Sequence, residues 1–291
     1  MKYFFLGIIF SLFSMMACGR LGNDDKKAGQ ETRIVCVSKQ INEYIYALGA
    51  QQDLVAVDLS STYPEKIKQL PNVGYHRALS AEGIISMKPT VILHDGNIAP
   101  VAVIEQVKKV GIPMWEMRPG NSLDSAKILM RQVGIYFHKE AVADSIIKIW
   151  DAEMAYALSD VEKNKGKTKP RILIIHYGRA ANIYLAMTKH STANQIIEWA
   201  GGVNAIDSVG GMARTNAEMI AKSAPDIIIA TDFGFDKFGS SDKFKEMPGV
   251  SLTPAAKNNR IYRIEENEIV YFGPRTPGVI KKVSAMVNDG K

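Results

Sequence analysis

The sequence predicts an α/β protein: two Rossmann-like lobes joined by a single long helix. Apolar runs of four or five residues alternate with helical segments of about ten, the pattern of parallel sheets assembled from βαβ units. The run Asn216-Ala217-Glu218-Met219-Ile220 before Ala224-Pro225-Asp226-Ile227 echoes Ser80-Ala81-Glu82-Gly83-Ile84 before Lys88-Pro89-Thr90-Val91, so one lobe repeats the grammar of the other. Between the echoes, residues 139–163 carry Ala143, Ile146, Trp150, Met154, Leu158 and Val161 at steps of three and four, a single apolar stripe.

At the amino terminus Lys2 precedes an almost unbroken apolar stretch over residues 3–13, and small or sulfur-bearing residues lead into Ala17-Cys18-Gly19. The stretch is shorter than the ~20 residues that a spanning helix needs, which marks a signal peptide over residues 1–17. Met15-Met16-Ala17-Cys18 resembles the lipobox of bacterial lipoproteins, with Met15 standing where Leu is usual. That likeness implies cleavage before Cys18 and a lipid on its sulfur. Residues 18–32 follow as a polar tether that cannot bury enough apolar surface to order itself.

The first lobe, residues 33–138, opens with the apolar run 34–37. Residues 41–48 have helical spacing and stop at Gly49, which takes the left-handed conformation past a helix end at little cost. Residues 54–57 read as the next strand, with Asp58 and a polar loop behind it. Ser80 is the N-cap of a helix through Met87, Lys88-Pro89 breaks that helix, and 90–93 is a strand. A helix over 101–110 closes at Gly111 before a strand over 113–117. The bridging helix, 139–163, would be ~37 Å long and predicts a stiff hinge about which the lobes rock slightly. In the second lobe, residues 164–291, a strand over 171–175 precedes a helix over 192–199 ended by Gly201-Gly202. A helix over 217–223 and a strand over 227–230 complete the repeat.

With 46% apolar and 23% charged residues in 291, the chain is of ordinary globular composition. That rules out wholesale disorder, a collagen-like repeat and a polytopic membrane protein. Two cysteines cannot build a disulfide framework or a four-thiolate zinc site. Thirty-six basic against 30 acidic residues, spread along the chain, is too mild an excess for a nucleic-acid footprint. There is no Gly-rich phosphate loop with its Lys, no Gly-x-Ser-x-Gly elbow and no His-Glu-x-x-His helix, so no motif argues for an enzyme.

The informative segment is Leu70-Pro71-Asn72-Val73-Gly74-Tyr75-His76-Arg77-Ala78-Leu79-Ser80-Ala81-Glu82-Gly83, a loop entering a helix, where polar side chains can face a cleft. Here the chain resembles the haem-binding lipoprotein or periplasmic component of bacterial haemin ABC importers. Their pattern is Gly-Tyr, one variable residue, Arg-Ala-Leu-Ser and an acidic helix start. The likeness extends through Glu43, Ala47-Leu48-Gly49-Ala50, Ala200-Gly201-Gly202-Val203-Asn204-Ala205 and Pro248-Gly249-Val250 to Phe272-Gly273-Pro274-Arg275-Thr276-Pro277. It implies the metal-chelate-binding fold of two lobes around one cleft.

By that resemblance Tyr75 is the axial ligand of ferric haem b. A phenolate is a hard anionic donor suited to Fe(III), and a free phenol, with a pKa of ~10, needs the iron and a neighbouring cation to ionise. Arg77, two residues on, would lie on the same side as Tyr75 if the loop is extended, facing the phenolate or a haem propionate. In some relatives a histidine from the second lobe is the sixth ligand. His176, at the carboxyl end of the strand 171–175, matches that position approximately, and Tyr177 competes with it. His76 should point away from Tyr75, His94 ranks with it below His176, and His138 and His190 read as helix-end or surface residues. Glu82 and Glu218 each sit in the first turn of a helix, which the helix dipole alone explains. The family implies a second role, one acidic residue per lobe docking onto permease arginines. The expected protein is thus an exported, lipid-anchored monomer that delivers haem to an ABC permease and its ATPase. A corrinoid or ferric siderophore is the alternative cargo.

Overall fold

Residues 31–289 are described by a computed structural model, apart from Lys165, Lys167 and Ala180. The signal peptide over 1–17, the lipidation site at Cys18 and nearly all of the tether lie outside the described residues. From Thr32 the chain packs as one unit.

Parallel strands buried on both faces read as continuous apolar runs, and the first sheet is made of such runs. Its elements are β1 (Ile34–Val37), α1 (Lys39–Ala47), β2 (Leu54–Val57), a hairpin of β3 (Gly74–Tyr75) and β4 (Ala78–Leu79), α2 (Ala81–Ser86), β5 (Val91–His94), α3 (Val101–Lys109) and β6 (Met114–Glu116). The four longer strands pair in parallel in the order β2-β1-β5-β6. Helix α4 (Leu123–Tyr136), which the sequence pattern had not suggested, follows; Ser122 and Ser125 cap its start reciprocally.

The bridging helix α5 spans Glu140–Asn164. Its buried seam runs Ala143, Ile147, Trp150, Met154, Ala157 and Val161, so Ile147 and Ala157 take the inward places expected of Ile146 and Leu158. Ala143 and Ile147 belong to the core of the first sheet, with Leu129, Val133 and Leu93. Trp150, Met154, Ala157 and Val161 belong to the core of the second, with Ile172, Ile229 and Val283. One rigid rod is therefore anchored in both cores. At its start a Cβ on Gly134 would come within 2.7 Å of the Ala143 Cβ, so only glycine lets α4 and α5 approach this closely.

The second lobe contains β7 (Arg171–Gly178), β8 (Ile183–Met187), α6 (Thr192–Trp199), β9 (Val203–Asn204), β10 (Met212–Arg214), α7 (Ala217–Ser223), β11 (Ile227–Thr231), α8 (Asp232–Phe235), α9 (Ser241–Phe244), α10 (Pro254–Lys257), β12 (Ile261–Ile264), α11 (Glu266–Ile269) and α12 (Thr276–Asn288). Its sheet order is β10-β8-β7-β11-β12, with β9 beside the start of β7. Strands β7, β11 and β12 run parallel, whereas β8 and β10 are antiparallel additions. The echo in the sequence is a repeated unit: α2 leads into β5 beside β1, and α7 leads into β11 beside β7. Ser80 accepts a hydrogen bond from the Gly83 N–H and Asn216 one from the Met219 N–H at the two helix starts. The fold class is thus the one the sequence predicts, with one correction: pairing with β8 carries β7 past Ile175 to Gly178.

Candidate functional site between the sheets

In open α/β sheets ligands bind beyond the carboxyl ends of the strands, and here those ends from both sheets meet. β1 runs into Ser38 and Lys39, β2 into Asp58, β11 into Asp232 and Phe233, and β12 into Glu265 and Glu266, while the β7–β8 turn carries Arg179. Contacts cross between the lobes. Arg179 Nη2 donates to the Leu59 carbonyl at 3.1 Å, Asn267 Nδ2 donates to Thr62 Oγ1 at 2.8 Å, and Lys39 pairs with Glu266. The same happens along α1, where Gln40 and Glu43 are buried against the other lobe. Arg275 donates to both carboxylate oxygens of Glu43 at 3.0 and 2.7 Å, and the Tyr271 hydroxyl adds a bond at 2.6 Å. Glu43 keeps Arg275 charged, and burial pushes the Tyr271 phenol up.

Tyr75 sits half-buried on the hairpin, where Gly74 faces Leu79 and Tyr75 faces Ala78, leaving His76-Arg77 as a two-residue turn. Gly74, at φ +97°, starts it in a conformation that side chains disfavour. Because the segment turns instead of staying extended, His76 does not point away. Its ring lies 4.3 Å from that of Tyr75, tilted by 53°. His76 Nδ1 is 3.5 Å from Asp58 Oδ2 and 3.3 Å from Ser60 Oγ. Burial opposes ionisation of Asp58, yet hydrogen bonds from His76, Ser60 and Ser61 outweigh it and hold the carboxyl below its ordinary range. The order Asp58, His76, Tyr75 thus fixes the phenol ring from behind, and this support comes from the first lobe alone.

The same turn removes the geometric ground for placing Arg77 beside Tyr75. Arg77 is exposed and donates to Asn97 Oδ1 at 2.9 Å within its own lobe. The guanidinium over the phenol ring is that of Arg179 from the second lobe, 5.6 Å from the Tyr75 centroid and 3.9 Å from that of Phe233. Sequence reasoning missed Arg179. The available signal was its place three residues beyond His176, at the carboxyl end of a parallel strand.

His176 and Tyr177 are neighbours on β7 and therefore point to opposite faces. His176 is nearly buried, its Nδ1 without a hydrogen-bond partner among the described residues and 4.0 Å from Glu266 Oε2. Burial lowers its pKa, with Glu266 opposing. Glu266 in turn stays below its ordinary range: burial raises it, and the charges of Lys39 and His176 overcome that. Tyr177 packs against Tyr184, with its hydroxyl joined to Asn182 and Lys237. The structure thus puts His176 in a charged cluster with Lys39 and Glu266, and Tyr177 in a separate one. His94 is buried at the end of β5, where its Nδ1 accepts from the Gly96 N–H at 3.1 Å. Two concavities, of 260 and 200 Å³, lie away from Tyr75, beside Arg214 and beside His190.

Glu82 and Glu218 are both exposed in first turns, as the echo requires, and Glu218 pairs with Lys222 at 2.6 Å one turn on. Cys36 is a buried free thiol in β1. No three His, Cys, Asp or Glu side chains among the described residues are grouped to hold a bare metal ion. A metal carried inside a macrocycle asks the protein for only one or two axial donors.

Two α/β lobes on one rod, with polar residues converging at their strand ends, are the architecture of a substrate-binding protein. The chain belongs to the periplasmic binding protein family, whose model matches residues 34–268. Among solved structures it is similar to the periplasmic heme-binding protein RhuT from Roseiflexus sp. RS-1 in apo form. The TM-score is 0.81 and the identity 29%, over 89% of this chain and 99% of that one. Among curated proteins it is 26% identical to YvrC of Bacillus subtilis, an uncharacterized ABC transporter substrate-binding lipoprotein, over 84% of this chain and 76% of that protein. It is 22% identical to the vitamin B12-binding protein of Vibrio campbellii over 88% of this chain and 89% of that protein. The family is one of periplasmic binding proteins, so the chain is a binding protein and not an enzyme.

Proposed function

We propose that this protein captures haem b, as Fe(III) protoporphyrin IX, between its lobes and presents it to an ABC permease and its ATPase. The observation that carries this is Tyr75: a half-buried phenol on a hairpin, backed by His76 and Asp58, with a guanidinium from the opposite lobe over its ring. Its oxygen is a hard donor for ferric iron. Because the support of Tyr75 lies within the first lobe, the ligand is oriented before the second lobe closes on it. The similarity to RhuT supports haem as the cargo. His176 is the candidate for a second axial ligand, and its place beside Glu266 and Lys39 makes five-coordination through Tyr75 the simpler state. Arg77 remains a candidate for a haem propionate at the rim. Anchoring through a lipid on Cys18 and action as a monomer complete the proposal.

A corrinoid is the second reading, favoured by the vitamin B12-binding relative. Parallel titrations with haemin and cyanocobalamin, read by absorption and by tryptophan quenching, separate the two. Saturable haemin binding with a tyrosinate-to-iron charge-transfer band is expected, with cyanocobalamin leaving the spectrum and the quenching unchanged. Tight cyanocobalamin binding with no haemin complex would reverse the assignment.

A further inference from the structure

Arg179 is placed unusually for a surface arginine. Its guanidinium lies 3.9 Å from the Phe233 ring centroid of its own lobe and 5.6 Å from the Tyr75 ring centroid of the other, a flat cation over two aromatic rings. It spends one of five donors on a backbone carbonyl, Leu59 O at 3.1 Å. Among the described residues no carboxylate forms an ion pair with it, although Lys39, Arg263 and Arg275 all have such partners. Phe233 lies two residues beyond β11 and Arg179 one beyond β7, so both stand at strand carboxyl ends on the Tyr75 side. A guanidinium stacks on aromatic rings much as a flat conjugated ligand does, and it pairs with carboxylates in a fork that stacking leaves free.

We propose that Arg179 and Phe233 are the second lobe's half of the ligand slot. The guanidinium lies against both the Tyr75 and Phe233 rings and ties the lobes through Leu59. A flat ligand bearing carboxylates takes its place against those rings, and Arg179 turns away to pair with the carboxylates. Arg179 then selects for anionic groups on the ligand, and Phe233 for a planar face. This deepens the haem reading and rests on it.

The test compares haemin with haemin dimethyl ester, which keeps the ring and the iron but has no ionised propionates. Arg179→Ala should weaken haemin by about tenfold or more and change ester binding by less than about twofold, while Arg179→Lys restores part of the haemin affinity. Phe233→Leu should weaken both ligands alike. Equal losses for haemin and ester in Arg179→Ala, or none, overturn the carboxylate role while the parent's charge-transfer band leaves the haem reading intact. If the parent itself shows no such band, the haem reading and this inference fall together.

Discussion

Each lobe brings a buried carboxylate to the place where the sheets meet, and the two are held ionised by different means. Asp58 relies on hydrogen bonds from His76, Ser60 and Ser61, all of its own lobe. Glu266 relies on charge, and its main partner, Lys39, belongs to the other lobe. The first lobe therefore carries a finished support for Tyr75, whereas the second lobe's cluster is complete only when the lobes are docked. A binding protein needs both kinds of surface: one that fixes the ligand's orientation, and one whose stability reports closure.

The strongest way to break this contrast lies at Glu43 and Arg275, which join α1 of one lobe to the start of α12 in the other. Arg275→Met leaves the Glu43 carboxylate buried without its counter-charge, and a loss of ~3–5 kcal/mol in urea unfolding is expected. Adding Glu43→Leu should recover much of it. A loss under ~1 kcal/mol for Arg275→Met would mean that the lobes are held elsewhere.

Lys39→Met and Asp58→Asn sharpen the comparison. Both carboxyls sit below their ordinary range, so the stability they add is fully present above the unfolded pKa of ~4 and is lost as pH falls through the lower folded values. Lys39→Met should cost ~2 kcal/mol at pH 7 and close its gap to the parent only as pH falls through the parent's lowered Glu266 pKa, where the carboxylate loses its charge in both proteins. Asp58→Asn should cost ~1–2 kcal/mol at pH 7 and also weaken haemin binding, by freeing His76 and with it the Tyr75 ring. If Lys39→Met impaired haemin binding more than Asp58→Asn, the roles of the two lobes would be the reverse of those argued.

The smallest effects on the fold belong to Glu82 and Glu218. Both are exposed, so Glu82→Lys or Glu218→Lys should move stability by under ~0.5 kcal/mol. Each should leave haemin titration unchanged while lowering transport in vesicles that contain the permease. Full transport by both variants would reduce these residues to helix-start charges.

Much of the fold was legible because its punctuation is local. Ser80, Ser191 and Asn216 all cap helices, and the helices over 192–199 and 217–223 fall where the pattern puts them. Other elements were hidden, among them α4, β8, β12 and the closing helix α12. Helix α4 starts with a Ser122–Ser125 box instead of the usual acidic partner, and β8, an apolar run like the other strands, pairs antiparallel with β7 and β10 outside the βαβ rhythm. Missing β8 cut β7 short and put Arg179 out of view. At the site, Tyr75 announced itself through its loop, but the turn that brings His76 against it depends on pairing with β4. Asp58, Phe233 and Glu266 carry no local mark at all. They are a site only because strands far apart in sequence end at one place.

The central claim is that Tyr75 holds the iron. Haemin bound to the parent and to Tyr75→Phe should be compared by absorption and by transfer to apomyoglobin. The parent should show a high-spin or mixed ferric spectrum with a tyrosinate charge-transfer band and release haem slowly. Tyr75→Phe should lose the band and release haem at least about tenfold faster. An unchanged band with unchanged release in Tyr75→Phe would contradict the account.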